Sequence, residues 1–388
     1  MGPTLCRRFQ TEIVIIFTII EKPDARACNI VPQASISLRQ EGGSTQGHIT
    51  DQTRPNEPQG ELKIMSTSVI GVDMGGTKIL SAVIGPEGNI LGTAKVPTKA
   101  DRGPSVVIDR IADSIRKAID KSGVAAASIQ AVGIGAPGPL DPATGVVIFA
   151  PNLRWKNVRL KEELEARVNF PTFVDNDVNV GTLGEHVFGA GQGFQNVVGI
   201  FVGTGIGGGI ILQGELFHGA SKTAGEIGHI IVKAGGPRCG CGTRGCLEAI
   251  ASRTAMTKQF QKAILKKGKK SIISELTGGD LSAIRSGVLA KAIRANDKLT
   301  LKVFKRVTKY LGIGIGSIVN FLNPEMIVLG GGVVEALDDT FLDDIRAAAE
   351  KYALPNTLSG VQIVPAKLGD NAGILGAAAL ARQRIFND

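Results

Sequence analysis

The chain has 388 residues, 43% of them hydrophobic and 20% charged, and a net charge of +9 from 44 Lys and Arg against 35 Asp and Glu. That balance can fill a sizeable core and excludes an intrinsically disordered chain; at roughly 100–200 residues per domain, the length predicts two domains. Its 51 glycines follow no three-residue period, which excludes collagen and leaves a surplus to explain.

Residues 1–64 carry seven Lys or Arg and seven Asp or Glu and so add nothing to the net charge. Positions 32–60, rich in Gln, Ser, Gly, Thr and Pro without periodicity, read as disorder. The longest apolar run of the whole sequence, 13–20, covers eight positions and is far short of the ~18–20 residues of a membrane span. A normal-looking start at Met65, with the purine-codable pair Gly60-Glu61 just upstream, predicts that 1–64 is translated leader ahead of the natural start.

From residue 69 strands and helices alternate. Residues 69–74 and 78–84 are apolar runs joined by Gly75-Gly76-Thr77, which predicts a hairpin. Residues 106–121 place Ile108, Ile111, Ile115 and Ile119 on one helical stripe, and 131–134 reads as a short strand. A second hairpin is expected from 197–202 and 209–212 around the turn 203–208, so the pattern of the first recurs and predicts a duplicated architecture. The six lysines between 258 and 270 are expected to form a solvated helix face, because only Phe260 among them offers a stacking surface to nucleic acid. Helices follow near 297–321 and 338–352 with a strand at 326–329 between them, and a last helix over 372–385 is capped by Gly369-Asp370-Asn371.

Glycine-rich turns bring backbone N–H groups close to a phosphate without Cβ interference. Three are candidates here: Gly75, Gly76, Thr77 and Lys78; Gly203, Thr204, Gly205, Gly207 and Gly208; and the run containing Gly331. The first two are followed by strands, so neither is a P-loop or a dinucleotide fingerprint. Asp73, at the end of the first strand, suits magnesium held through water. His229, separated by nine residues from Cys239, joins Cys239, Cys241 and Cys246 in a closed Cys3His set, the composition of a structural zinc site in a reducing compartment, here the cytoplasm.

These motifs occur in a fixed order: Gly71-Val-Asp-Met-Gly-Gly-Thr-Lys78, Asp175-Asn176-Asp177, Gly203–Gly209, Gly225-Glu226-Ile-Gly-His229, and the cysteine run ending in Glu248. On them the chain resembles the ROK family of sugar kinases over about 67–386, above all its ATP-dependent bacterial glucokinases. The resemblance implies an α/β actin-like fold of the hexokinase and Hsp70 type, two RNase-H-like lobes closing on sugar and ATP. It makes Asp177 the catalytic base and Gly138, Asn176, Glu226, His229 and Glu248 sugar-side residues, with 71–78 and 203–210 binding nucleotide. It also implies a homodimer. The lobes are expected at 65–178, with the helix 372–388 packing back on them, and at 179–371.

A carboxylate of ordinary pKa suffices for phosphoryl transfer to a hydroxyl, since the proton leaves late. Asp177 is alternatively the N-cap of a following helix, and Asp175, two residues earlier in an extended segment, is expected on the other side of the chain. His229 is expected to bind zinc through one nitrogen and to donate from the other to a sugar hydroxyl. His186 and His218 read as ordinary surface or packing residues. Glucose is the expected acceptor, with an N-acetylhexosamine, or a sugar-sensing repressor without phosphorylation, as the alternatives. Neither nucleic acid nor membrane is an expected partner.

Overall fold

The computed structural model describes residues 68–335 and 339–387; the leader expected over 1–64 lies outside them. The first half runs β1 (Ser68–Met74), β2 (Lys78–Ile84), β3 (Ile90–Pro97), α1 (Pro104–Ser122) and β4 (Ile129–Ala136). A small meander of β5 (Leu140–Asp141), β6 (Val146–Ala150) and β7 (Trp155–Arg159) leads to α2 (Leu160–Val168), β8 (Thr172–Asn176) and α3 (Asp177–Phe188). The second half runs β9 (Val197–Val202), β10 (Ile206–Leu212), β11 (Glu215–Leu216), α4 (Arg253–Gln261), α5 (Ser286–Arg294) and α6 (Lys298–Leu322). It ends with β12 (Met326–Gly330), α7 (Asp339–Glu350), β13 (Gln362–Pro365) and α8 (Ala372–Asn387).

The duplication read from the two hairpins is present in full. One sheet has the order β3-β2-β1-β4-β8 and the other β11-β10-β9-β12-β13. In each, an antiparallel hairpin is extended by two parallel strands on the side of its first strand. Strands covered on both faces lose the in–out alternation of a half-exposed sheet. Thus on β1, Ile70 and Val72 pack against Ile108, Ile111 and Ile115 of α1, while Val69 packs with Ile374, Ala378 and Ala381 of α8 on the opposite face. α1 begins at Pro104, whose missing N–H costs nothing in a first turn, and stops at Gly123 in the left-handed conformation. The meander β5-β6-β7 and strand β3 gave no clear signal in the sequence, because their exposed and buried positions mix.

α3 and α8 lie between the two sheets. Val180 and Leu183 of α3 share a buried cluster with Val197, Ile211, Met326 and Val328 of the second sheet and with Ala377 and Leu380 of α8. α3 runs without a break through the position expected to divide the lobes. The two helices approach so closely that a Cβ on Gly376 would collide with the Val180 carbonyl. Overpacking a tight contact costs about 1–3 kcal/mol or more. Gly376→Ala is therefore expected to lower the unfolding free energy by about that much, read as a lower urea midpoint; an unchanged midpoint would show that the crossing yields without cost.

Candidate active site and metal centre

Strand β8 ends and α3 begins within three residues, Asp175-Asn176-Asp177. Asn176, not Asp177, is the N-cap: its Oδ1 accepts the amide hydrogens of Val178 at 2.9 Å and Asn179 at 3.3 Å. That occupies the oxygen and leaves the Asn176 amide group, 3.4 Å from the Gly138 carbonyl, as the donor on the open side. Asp177 is the first helical residue, and its carboxylate accepts the Val178 N–H at 3.0 Å. Desolvation, and then the nearby charge of Asp73, push the Asp177 carboxyl up to about 7. The ordinary pKa expected of this group does not hold, because two carboxylates converge here on a poorly hydrated spot.

A cavity of about 510 Å³ collects the expected sugar-side residues Gly138, Asn176, Asp177, Glu226, His229 and Glu248. The same cavity is lined by Gly203, Gly205, Gly207, Gly208 and Gly331. Its size and its few convergent polar groups suit a small polar ligand. Glu248 reaches in from the start of a one-turn helix, with Oε2 accepting the Ile206 N–H at 3.0 Å and Oε1 3.8 Å from Cys239 Sγ. One of its two oxygens is thus already engaged by the second hairpin.

The glycine turns divide. The tip of the second hairpin is only Gly203-Thr204-Gly205, closed by a bond from the Gly203 N–H to the Gly205 carbonyl at 2.9 Å. Gly207 and Gly208 lie inside β10 rather than in the turn, and besides lining the cavity they make room for Val178 and Ile227, which a Cβ would press on. Thr204 is held by Arg253, which donates to its hydroxyl at 2.6 Å. The first turn, Gly75, Gly76 and Thr77, does not line this cavity. It connects through Asp73, whose carboxyl is raised mainly by burial, and through Lys78, 3.7 Å from Asp370.

His229, Cys239, Cys241 and Cys246 offer ligand atoms that all lie within 4.8 Å of one another. Cys241 Sγ is 3.7 Å from Cys246 Sγ, and Cys239 Sγ is 3.7 Å from His229 Nδ1. Zinc–sulfur bonds of about 2.3 Å place tetrahedral sulfurs about 3.8 Å apart, so the donor set fits zinc in both chemistry and spacing. Burial, and then the neighbouring thiols, push Cys246 up to about 12. Ionising all three sulfurs in this space therefore calls for a cation among them. His229 turns Nδ1 to the sulfurs, while Nε2 stands 3.9 Å from Glu226 Oε2 beside the cavity.

His218 does more than the surface or packing role expected of it: its Nε2 lies 2.6 Å from Oδ2 of the fully buried Asp175. Forty-three positions separate the two, so no spacing in the sequence could have paired them. His186 does behave as a packing residue, its Nε2 bonded to the Phe194 carbonyl at 2.8 Å. The six lysines of 258–270 are exposed and Phe260 is buried. No helix among the described residues is long and apolar enough to cross a membrane.

The ROK family signature matches residues 69–384. A glucokinase of Halalkalibacterium halodurans is 37% identical over 321 residues, covering 81% of this chain and 95% of its own length. A ROK family glucokinase from Streptomyces griseus, solved in complex with glucose and AMPPNP, superposes with a TM-score of 0.71 at 36% identity, over 81% of this chain and 99% of that one. A xylose repressor of Bacillus spizizenii is 31% identical over 318 residues, 82% of this chain and 78% of the repressor.

The metal centre makes its own prediction. Purified protein is expected to carry about one zinc per chain, and stripping it with a chelator to lower the melting temperature and make Cys239, Cys241 and Cys246 reactive to a thiol reagent. An unchanged melt in demonstrably metal-free protein would remove the structural role.

Proposed function

We infer the activity from one premise: the chain belongs to the ROK family. It is an ATP-dependent sugar kinase that phosphorylates glucose, at the 6-hydroxyl in our reading. The observation that carries this reading is the convergence on one cavity of Asp177, a carboxylate with an accessible proton affinity, with Asn176, Glu226, His229 and Glu248 on one side and the Gly203–Gly205 tip on the other.

Asn176 donates from the amide hydrogen not directed at Gly138, and Glu226 and Glu248 accept from vicinal hydroxyls, which fixes the sugar ring. His229, anchored by Nδ1 in the metal cluster, donates from Nε2. Asp177 then takes the proton of the attacking hydroxyl as its oxygen bonds to the γ-phosphorus and the bond to ADP breaks. A base near 7 is well matched to neutral pH, where it is partly ionised and still basic enough to accept a proton. The backbone N–H groups of both hairpin tips and Lys78 face the phosphates. Magnesium fits at Asp73: its carboxyl is raised by burial, and its charge in turn raises the neighbouring Asp177, so two poorly hydrated carboxylates form a ready cation seat. Bound there through water, it would supply charge neutralisation on the phosphates. We further propose a homodimer working in the cytoplasm, built of the lobes 65–178 with α8 and 179–371.

Asp177→Asn is expected to lower kcat by about 10²–10⁴-fold while leaving zinc content and melting unchanged. A coupled ADP assay across a sugar panel reads this directly. A preference for N-acetylmannosamine would replace the acceptor, and sugar binding without ADP formation would favour the sugar-sensing reading.

The pH profile is a separate check. Asp177 serves as base only when ionised, so kcat/KM for glucose should fall about tenfold per unit below pH 7 and level off above it. Asp73→Asn removes the like charge, lowers the Asp177 pKa, and should move this limb to lower pH even as total activity drops. A parent limb near the ordinary carboxylate range would refute the assigned environment.

A further inference from the structure

The segment between β11 and Glu226 closes on itself. Phe217 N–H bonds to the Ile210 carbonyl at 2.8 Å, Lys222 N–H to Gly219 at 3.3 Å, and Ala224 N–H to His218 at 3.0 Å. Gly219, Lys222 and Gly225 take positive φ values of 70°, 62° and 91°, which bend the loop back toward the cavity. Lys222, Thr223, Ala224 and Gly225 line that cavity, and Glu226 follows at once. The loop follows the second sheet's β11, yet it interacts with residues of the first half of the chain at two places. Lys222 lies near Asp141 on β5, whose carboxyl is held down mainly by Thr144 and Ala143 and in smaller part by that ammonium. His218 bonds to Asp175 on β8.

The second contact is the consequential one. Asp175 is fully buried. Its Oδ1 accepts the Asn176 N–H at 2.7 Å and the Asn179 side-chain amide at 2.9 Å, both from the turn that carries Asp177. Oδ2 is held by His218 from outside that turn, with Nε2 donating at 2.6 Å since a carboxylate has no proton to give. The atoms thus form one connected path: Glu226, the loop, His218, Asp175, and the Asn176–Asp177 turn.

We propose that His218 is a positioning residue for sugar binding: its bond to Asp175 spans the two halves and sets the distance between the loop bearing Glu226 and the turn bearing Asn176 and Asp177. His218 touches neither reacting atom, so its loss weakens capture of the sugar more than the chemical step on a captured sugar. A hydrogen bond to a buried carboxylate is among the stronger ones, and removing its donor leaves the acceptor unpaired.

The proposal rests on glucose being the substrate, and wild-type glucose turnover tests that premise separately from the variant-to-parent ratios. In the full-length protein, His218→Phe keeps a ring but no donor; it is expected to raise KM for glucose at least tenfold, with kcat changed less than threefold and KM for ATP unchanged. His218→Gln, which retains an N–H, should recover most of the loss. In a double-mutant cycle the effect of His218→Phe should largely vanish on an Asp175→Asn background. A wild-type KM in His218→Phe, or equal falls in kcat and kcat/KM, would overturn the proposal. Should His218→Phe not fold, hydrogen exchange on the wild type decides. Glucose is expected to slow exchange in 217–226 and in 176–180 together, and slowing of one segment without the other would overturn the coupling.

Discussion

Asn176 Oδ1 caps α3, and the placement of nearly every other group in the site follows from that bond. A helix start leaves amide hydrogens without partners, and a side-chain oxygen at the preceding residue supplies one. With Val178 and Asn179 so held, the chain turns from β8 into α3 at a fixed angle, and Asp177 is carried to the cavity wall. Its backbone freedom is gone before any ligand arrives. The bulk of α3 is in turn fixed by its crossing with α8 between the sheets, where Val180 and Leu183 are fully buried. A base on a loop would have to be ordered by the substrate; a base on the first turn of a packed helix is ordered by the fold.

The electrostatics follow from that placement. Asp73 ends β1 and Asp177 follows the end of β8. β4, which pairs with both strands, brings their carboxyl ends to the same edge of the sheet. At this poorly hydrated edge desolvation, and then the charge of Asp73, raise the proton affinity of Asp177. The result is a base near neutrality together with an attraction for a divalent cation, two properties usually credited to separate residues.

Much of this was legible because it depends on short spans. The two hairpins, the Asp175-Asn176-Asp177 turn and the Cys3His cluster each lie within about twenty residues, and each carries its own physical signature. The duplicated sheet order could be anticipated from the repeat of apolar strand, glycine turn, apolar strand. What escaped depends on tertiary approach. That glycines 207 and 208 also make room for Val178 and Ile227 could not be read from the turn motif. The capping role weighed as an alternative for Asp177 falls to its neighbour Asn176; both residue types are good caps, and only the φ and ψ of the junction decide. The normal pKa expected for Asp177 ignored Asp73, 104 positions away in the chain. The bond from His218 to Asp175 had no local trace at all.

Two rigid bodies therefore face each other across the cavity, stiffened by different means. On one side the cap and the α3–α8 crossing hold Asn176 and Asp177. On the other the metal ligands tie His229 and Cys246 together, and the Ile206 N–H holds Glu248 against the second hairpin. The packing of α3 on the second sheet joins the two bodies at their base, but phosphoryl transfer is sensitive to misplacement well below the size of a side chain. The hydrogen bond between His218 and Asp175 joins the loop of one body to the turn of the other, and both of its partners stand within eight residues of a sugar-side group. Such a tie at the rim of the cavity lightens the cost of ordering the two half-sites, which would otherwise fall more heavily on the binding energy of the sugar.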